Sequence, residues 1–308
     1  MPFYEAQWRA ETEEEWLAAI AQLPSQEWKT ANGIIERLGD RYLPLPSNIG
    51  MFGCHLIVST LLQKIMLFRQ SSTSSAHSEQ EIREKYIGVL RRWQMMWESE
   101  LESSLSPGSP LGPMLFNGTA LLRVSYVRLA MDFSPIRRVF SCSNSAQEIE
   151  FKINSLGTPL RNPQTTRAAL QACLALRIPV RLGFKVVART SFWIWSVQHA
   201  LCYFECALLL AKWLQVVQTS LDVSPDETVV LNLARQLVRA STGDEHDDES
   251  QFALSSGVLR SWAQLLDTAD TTVWKIQPKL AEVLRLHATR LSSCRASSGH
   301  VDISREFF

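Results

Sequence analysis

WSVQHALCYFECALLLAKWL, Trp195 to Leu214, is the most apolar stretch of the chain, yet it carries His199, Cys202, Glu205, Cys206 and Lys212. Three readings compete for it: a membrane span, a metal site, or the core helix of an all-α domain. Gln198, Glu205 and Lys212 recur every seven residues and form one narrow polar stripe on an otherwise apolar helix. Such a helix reaches about 30 Å, just enough to cross a bilayer. Glu205 would then sit near the middle of the membrane, at a cost of roughly 3 kcal/mol on insertion scales. His199, Cys202 and Cys206 stand at i, i+3 and i+7, on one helical side and within reach of a shared metal. A fourth ligand has no obvious source, and free Cys in a Leu-rich helix behaves as a small apolar filler. The stretch therefore predicts a buried helix with one wet edge, and neither a span nor a metal site.

Composition agrees with a helical, non-nucleic-acid-binding domain. The 308 residues suffice for one large or two ordinary domains with a sizeable core. Lys plus Arg equals Asp plus Glu at 31 each, and the formal net charge is zero. That balance lacks the basic footprint that phosphate binding leaves. Gly and Pro, at 13 each, are fewer than strands with tight turns ask for. Six scattered cysteines behind a polar, acidic N-terminus, MPFYEAQWRAETEEEW, fit a reducing compartment. The same N-terminus has neither the apolar core of a secretory signal nor the arginines of a transit peptide.

The pattern along the chain is helical almost throughout. TEEEWLAAI carries Thr12 as N-cap with Glu15 reaching back, and Trp16, Leu17 and Ile20 share a face. Cys54 to Phe68 is apolar for about four turns but interrupted by Gln63 and Lys64, which reads as a core helix too short for a span. Ile82, Tyr86, Val89, Leu90, Trp93, Trp97, Leu101 and Leu105 recur at spacings of three and four, predicting a long amphipathic helix. The run from Met114 is apolar nearly all round apart from Arg123 and Arg128, and Pro135 is expected to stop it. AQEIEFKI predicts a short helix, and TTRAALQACLAL a longer one. RIPVRLGFKVV alternates as a strand would, yet Pro179 suits a first helical turn, and helix is the expectation. Ser224, Pro225 and Glu227 form the clearest start signal, a capping box with proline at the first position, after which Val230, Leu233, Leu237 and Val238 face the core. GVLRSWAQLLDTA and PKLAEVLRLHATRLSSC read as closing helices, and residues 296–308 as a disordered tail.

Motifs of enzymes are missing. The acidic run Asp244 to Ser250, DEHDDES, has the composition of a divalent-metal motif of helical prenyl-diphosphate enzymes. It lies between Ser-Thr-Gly and Ser with no second metal box, so a solvated loop is expected. No Walker loop, Gly-x-Gly-x-x-Gly or Gly-x-Ser-x-Gly occurs. Asn117 begins a glycosylation triplet, but beside an apolar helix and without a signal peptide it is set aside. The residues thus nominate no catalytic, cofactor-binding or metal-binding group, and no cofactor.

Three stretches together carry a resemblance: MPFYEAQWRAETEEEW, GPMLFNGTALLRVSYVRL, and ALRIPVRLGFKVVARTSFWIWSVQHALCYFECALLLAKWL. Their order and spacing resemble the C-terminal half of the fungal-specific transcription factor domain, in the subgroup whose DNA reader is a pair of two-cysteine two-histidine zinc fingers. The resemblance runs from about residue 1 to 217, with 218–295 as closing helices of the same domain. It implies an irregular all-α bundle and a nuclear regulator of metabolic or secondary-metabolite genes that is not an enzyme. Its expected partners are proteins of the transcription machinery or a second copy of the chain. DNA would be reached only through zinc fingers that this chain does not contain, since it begins where the second half of the domain would begin, as a truncated form does. No membrane association is expected. Trp195, Glu205 and Trp213 are implied to be architectural. The alternative is a membrane-associated helical protein or a metal-dependent helical enzyme, resting on the apolar helix or the acidic run.

Overall fold

Thirteen α-helices and no strand make up the described part of the chain in the computed structural model. The described residues are 9–21, 30–47, 49–71, 76–100, 103–106, 113–140, 145–190, 194–242, 253–267 and 275–298. The fold class is all-α, and the ambiguous stretch around Pro179 is helical. Two compact units divide the chain: residues 1–129 with 194–198, and residues 130–193 with 199–308.

The first unit contains α1 (Glu13–Ala21), α2 (Ala31–Gly39), α3 (Gly50–Gln70), α4 (Ala76–Ser99) and nearly all of α5 (Met114–Ala130). Thr30 caps α2 by accepting from the Gly33 N–H, and Ile34, Ile35 and Leu38 go inward. α2, α3 and α4 pack on one another. Trp93 of α4 ties two of them: its indole N–H donates to the Cys54 carbonyl of α3 at 3.0 Å. Gly118 of α5 brings backbone close to that indole, for a Cβ there would meet the Trp93 ring at 3.5 Å. The face expected to continue to Leu105 stops earlier, because Glu100 N–H closes a tight turn on Trp97 O and Ser99 Oγ bonds Met96 O. Leu105 lies beyond α4 and is exposed. Trp16, Leu17 and Ile20 do share a face of α1, but it is not covered, and α1 buries no residue.

In the second unit come α6 (Ser134–Phe140), α7 (Ala146–Ile153), α8 (Pro163–Leu182), α9 (Phe184–Thr190), most of α10 (Val197–Gln218), α11 (Pro225–Thr242), α12 (Ala253–Leu266) and α13 (Ile276–Ser298). Pro135 does not end α5. It sits in the first turn of α6, where the missing N–H costs nothing, while Asp132 accepts from the Ser134 N–H at 2.9 Å. Pro179 lies inside α8 and not in a first turn. The helix ends four residues later at Gly183, whose φ of 84° suits glycine and whose N–H donates to Pro179 O. The Gly183 carbonyl then accepts from Val186 and Val187, so one glycine closes α8 and opens α9. α11 approaches α12 closely at Gly257, where a Cβ would stand 2.8 Å from Val238 Cγ1. α12 packs along α13, and α7 and α8 pack on α13 and α11 respectively.

The opening stretch forms α10, and fifteen of its residues are buried. The wet edge is only partial. Glu205 is 5% exposed, Gln198 and Lys212 are half-buried, and Leu201 is the exposed residue of this stretch. A polar stripe one residue wide is narrow enough for neighbouring elements to cover, which periodicity alone does not reveal. Among the described residues two helices, α3 and α10, are long and apolar enough to cross a membrane. In α10, 78% of that window is buried inside the protein, the signature of a core helix, against 33% in α3.

Candidate functional site

Buried polar groups are where a site is sought, because each needs a partner that offsets its desolvation. Two such clusters, each built on a buried carboxylate, stand among the described residues of the second unit. The first begins with α7, which is short but firmly started: Ser145 accepts from the Glu148 N–H while Glu148 reaches back to the Ser145 N–H. That start fixes the register that turns Ile149, Glu150 and Ile153 inward. On α13, His287 and Arg290 stand three residues apart and share a side. His287 Nδ1 lies 3.1 Å from Glu150 Oε1, and Arg290 donates to Glu150 Oε2 at 3.3 Å. Burial holds the His287 pKa below the usual imidazole value. The Glu150 carboxylate opposes that shift, and the positive charges of Lys212 and Arg290 reinforce it. Lys212 of α10 donates to Leu156 O at 3.0 Å, and burial lowers its pKa too.

A histidine oriented by a carboxylate is half of an acid–base pair. The other half is not here: the third member is a cation, and among the described residues no hydroxyl or thiol bonds the ring. The arrangement joins α7 to α13 and neutralises a buried carboxylate.

Arg161 and Glu227 build the second cluster. The guanidinium donates through Nε to Glu227 Oε1 at 2.7 Å and through Nη2 to Oε2 at 2.6 Å, and it also bonds the Asp222 carbonyl. Glu227 simultaneously closes the expected capping box, accepting from the Ser224 N–H at 2.8 Å while Ser224 Oγ accepts from the Glu227 N–H. The Arg161 bonds hold its carboxyl far below the usual range, at about 2. This is a forked clamp fastening the loop before α8 to the start of α11.

His199, Cys202 and Cys206 are all buried on α10, and His199 meets the Tyr203 ring edge-on at 5.6 Å between centroids. Among the described residues no group of three or more His, Cys, Asp or Glu could hold a metal ion. The acidic run 244–250 lies outside the described residues. Trp195, Glu205 and Trp213 are buried, and Trp195 packs edge-on against Phe116 at 5.0 Å. Glu150, His287 and Arg161 escaped the sequence reading, because their partners lie 137 and 66 positions away and no local motif marks them.

The sequence model of one family, the fungal transcription factor C-terminal domain, matches residues 132–286. The chain belongs to that family. No curated protein and no solved structure matches the chain. The region assigned to the fungal transcription factor C-terminal domain holds the third of the three resembling blocks and both polar clusters up to residue 286, and it continues past residue 217 through α11 and α12. A domain of this family points to a transcription regulator and away from catalysis.

Proposed function

We propose that this chain regulates transcription in the nucleus by binding other proteins, with metabolic or secondary-metabolite genes as its targets and with DNA contacted only by zinc fingers outside these 308 residues. The observation that carries the reading is the family match over residues 132–286. The polar clusters support it. In the matched region the ionisable groups with the most altered environments include Glu227, which is bonded to Arg161, and just beyond it His287 is bonded to Glu150; both fasten helices together. Such groups at a catalytic centre would converge on an open cleft. The zero net charge supports the absence of DNA reading by the chain itself, since specific readers neutralise phosphates and insert a shaped element into a groove.

The test fuses the chain to an unrelated DNA-binding domain and measures a reporter in a fungal host, beside a selection of binding sites from random DNA at fixed salt. The expected result is altered reporter expression with no selected DNA sequence. A silent reporter, or recovery of a specific site by the isolated chain, would overturn the proposal.

A further inference from the structure

The chain carries two exposed surfaces of opposite charge, each with apolar side chains at its centre. The sequence contains no Asp or Glu between Glu150 and Glu205. Within that stretch Arg177 and Arg181 stand one turn apart on α8, and Lys185 and Arg189 one turn apart on α9, either side of the bend at Gly183. All four are exposed, and none makes a hydrogen bond or ion pair among the described residues. The helix C-termini account for Arg181 and Arg189, which stand in last turns where a cation is favoured. They do not account for Arg177 and Lys185, nor for Leu182 and Val186, which lie among the four charges at 38% and 49% exposure.

The complementary surface is α1. It opens with Glu13, Glu14 and Glu15, and exposes Trp16, Leu17 and Ile20. It is capped within itself: Thr12 Oγ1 accepts from the Glu15 N–H at 3.2 Å, and Glu15 accepts from the Glu11 N–H at 2.9 Å. Yet nine residues are too few for a helix to stand alone in water, and its apolar side chains are covered by nothing described.

We propose that α1 of one copy docks on the basic bend of α8 and α9 of a second copy, and that the exchange is reciprocal. Glu13, Glu14 and Glu15 meet Arg177, Arg181, Lys185 and Arg189, while Trp16, Leu17 and Ile20 cover Leu182 and Val186. Making the same contact twice closes a two-fold dimer and doubles the area buried, where a single contact would leave open ends. Each contact is small and rimmed with charge, so the dimer is of the weak class and loosens as salt screens its charges. A duplex nucleic acid would satisfy the cations but leave Leu182 and Val186 facing phosphate. The inference does not depend on the regulatory reading.

The test uses the full chain in sedimentation velocity over a range of concentrations and salt. Three samples are compared: the natural chain, the chain with Glu13→Lys, Glu14→Lys and Glu15→Lys, and the chain with Arg177→Glu, Arg181→Glu, Lys185→Glu and Arg189→Glu. The natural chain should dimerise, and each reversed chain should weaken dimerisation by more than about tenfold. An equimolar mixture of the two reversed chains should recover a dimer, because the basic α1 of one then faces the acidic bend of the other. Reversing Glu15, which helps cap α1, and Arg181 and Arg189, which stand in last turns, lowers helix stability by itself; thermal melts read that cost, and the mixture, which carries it in both chains, separates it from loss of the contact. A natural chain that stays monomeric, association indifferent to both reversals, or a mixture that does not recover it would overturn the proposal. So would a bend reversal that abolishes retention of a DNA duplex while leaving association intact.

Discussion

Arg161 and Glu227, separated by 66 positions, are joined by two hydrogen bonds of 2.7 and 2.6 Å from one guanidinium to the two oxygens of one carboxylate. The same carboxylate caps α11, so one side chain both starts a helix and anchors it to the loop before α8. Local and long-range order thus meet at a single group.

That coupling has a pH signature. The Glu227 pKa is held at about 2, below the ordinary 4.5, chiefly by the Arg161 bonds. A depressed carboxylate makes its contribution to stability above its unfolded value and loses it as acid protonates it. Stability should therefore fall between about pH 4.5 and pH 2, and Arg161→Met should shrink that fall while lowering the melting temperature at neutral pH. Denaturant titrations at several pH values measure both. An unchanged acid slope in the variant would count against the clamp.

His287 titrates in a higher window. Burial lowers its pKa from 6.5, so the unfolded chain binds the proton more readily than the folded one. Stability gained by keeping the ring neutral is complete above pH 6.5 and declines as pH falls below it. Replacing His287 by Gln should remove that slope while keeping a polar partner for Glu150. Chemical denaturation between neutral and mildly acid pH reads the difference, and an identical slope in the variant would refute the assignment.

Gly257 is required by the approach of α11 to α12. Gly257→Ala adds a methyl 2.8 Å from the stiff Val238 side chain, an overpacking expected to cost about 1–3 kcal/mol despite alanine's better helix propensity. Val238→Ala should restore much of the loss, so the double variant is more stable than the sum of the two single changes. Urea unfolding of the four proteins gives the coupling. Simple additivity would show that the helices separate freely at this point.

Two cysteines should resist labelling. Burial pushes the thiols of Cys54 and Cys173 up to about 12, far from the thiolate that reacts. A thiol reagent at mildly alkaline pH should modify neither in the native protein and both after unfolding, with mass spectrometry of the peptides locating the label. Rapid native labelling of Cys173 would mean that α8 opens locally.

Trp93 donates its indole proton to Cys54 O from a fully buried position. Trp93→Phe removes a buried hydrogen bond and leaves a gap, and should cost about 1–3 kcal/mol, the Cys54 carbonyl keeping its helical partner within α3. A variant as stable as the natural protein would show that α3 and α4 are held by other contacts.

What the sequence determined by itself was local. Periodicity and capping residues are chemistry between neighbours three or four positions apart, and they sufficed for the all-α class, for the short helix α7, and for α11 with Ser224, Pro225 and Glu227. The same neighbours showed that Trp195 to Leu214 is dominated by one apolar helix, whose family context came from resemblance. Tertiary structure alone decided which helix faces are covered. It buried Glu205, left Trp16 and Leu105 exposed, and placed Glu150 beside His287 and Arg161 beside Glu227. Those outcomes depend on contacts between residues up to 137 positions apart, where pairing is set by how whole helices pack and no spacing within one helix records it.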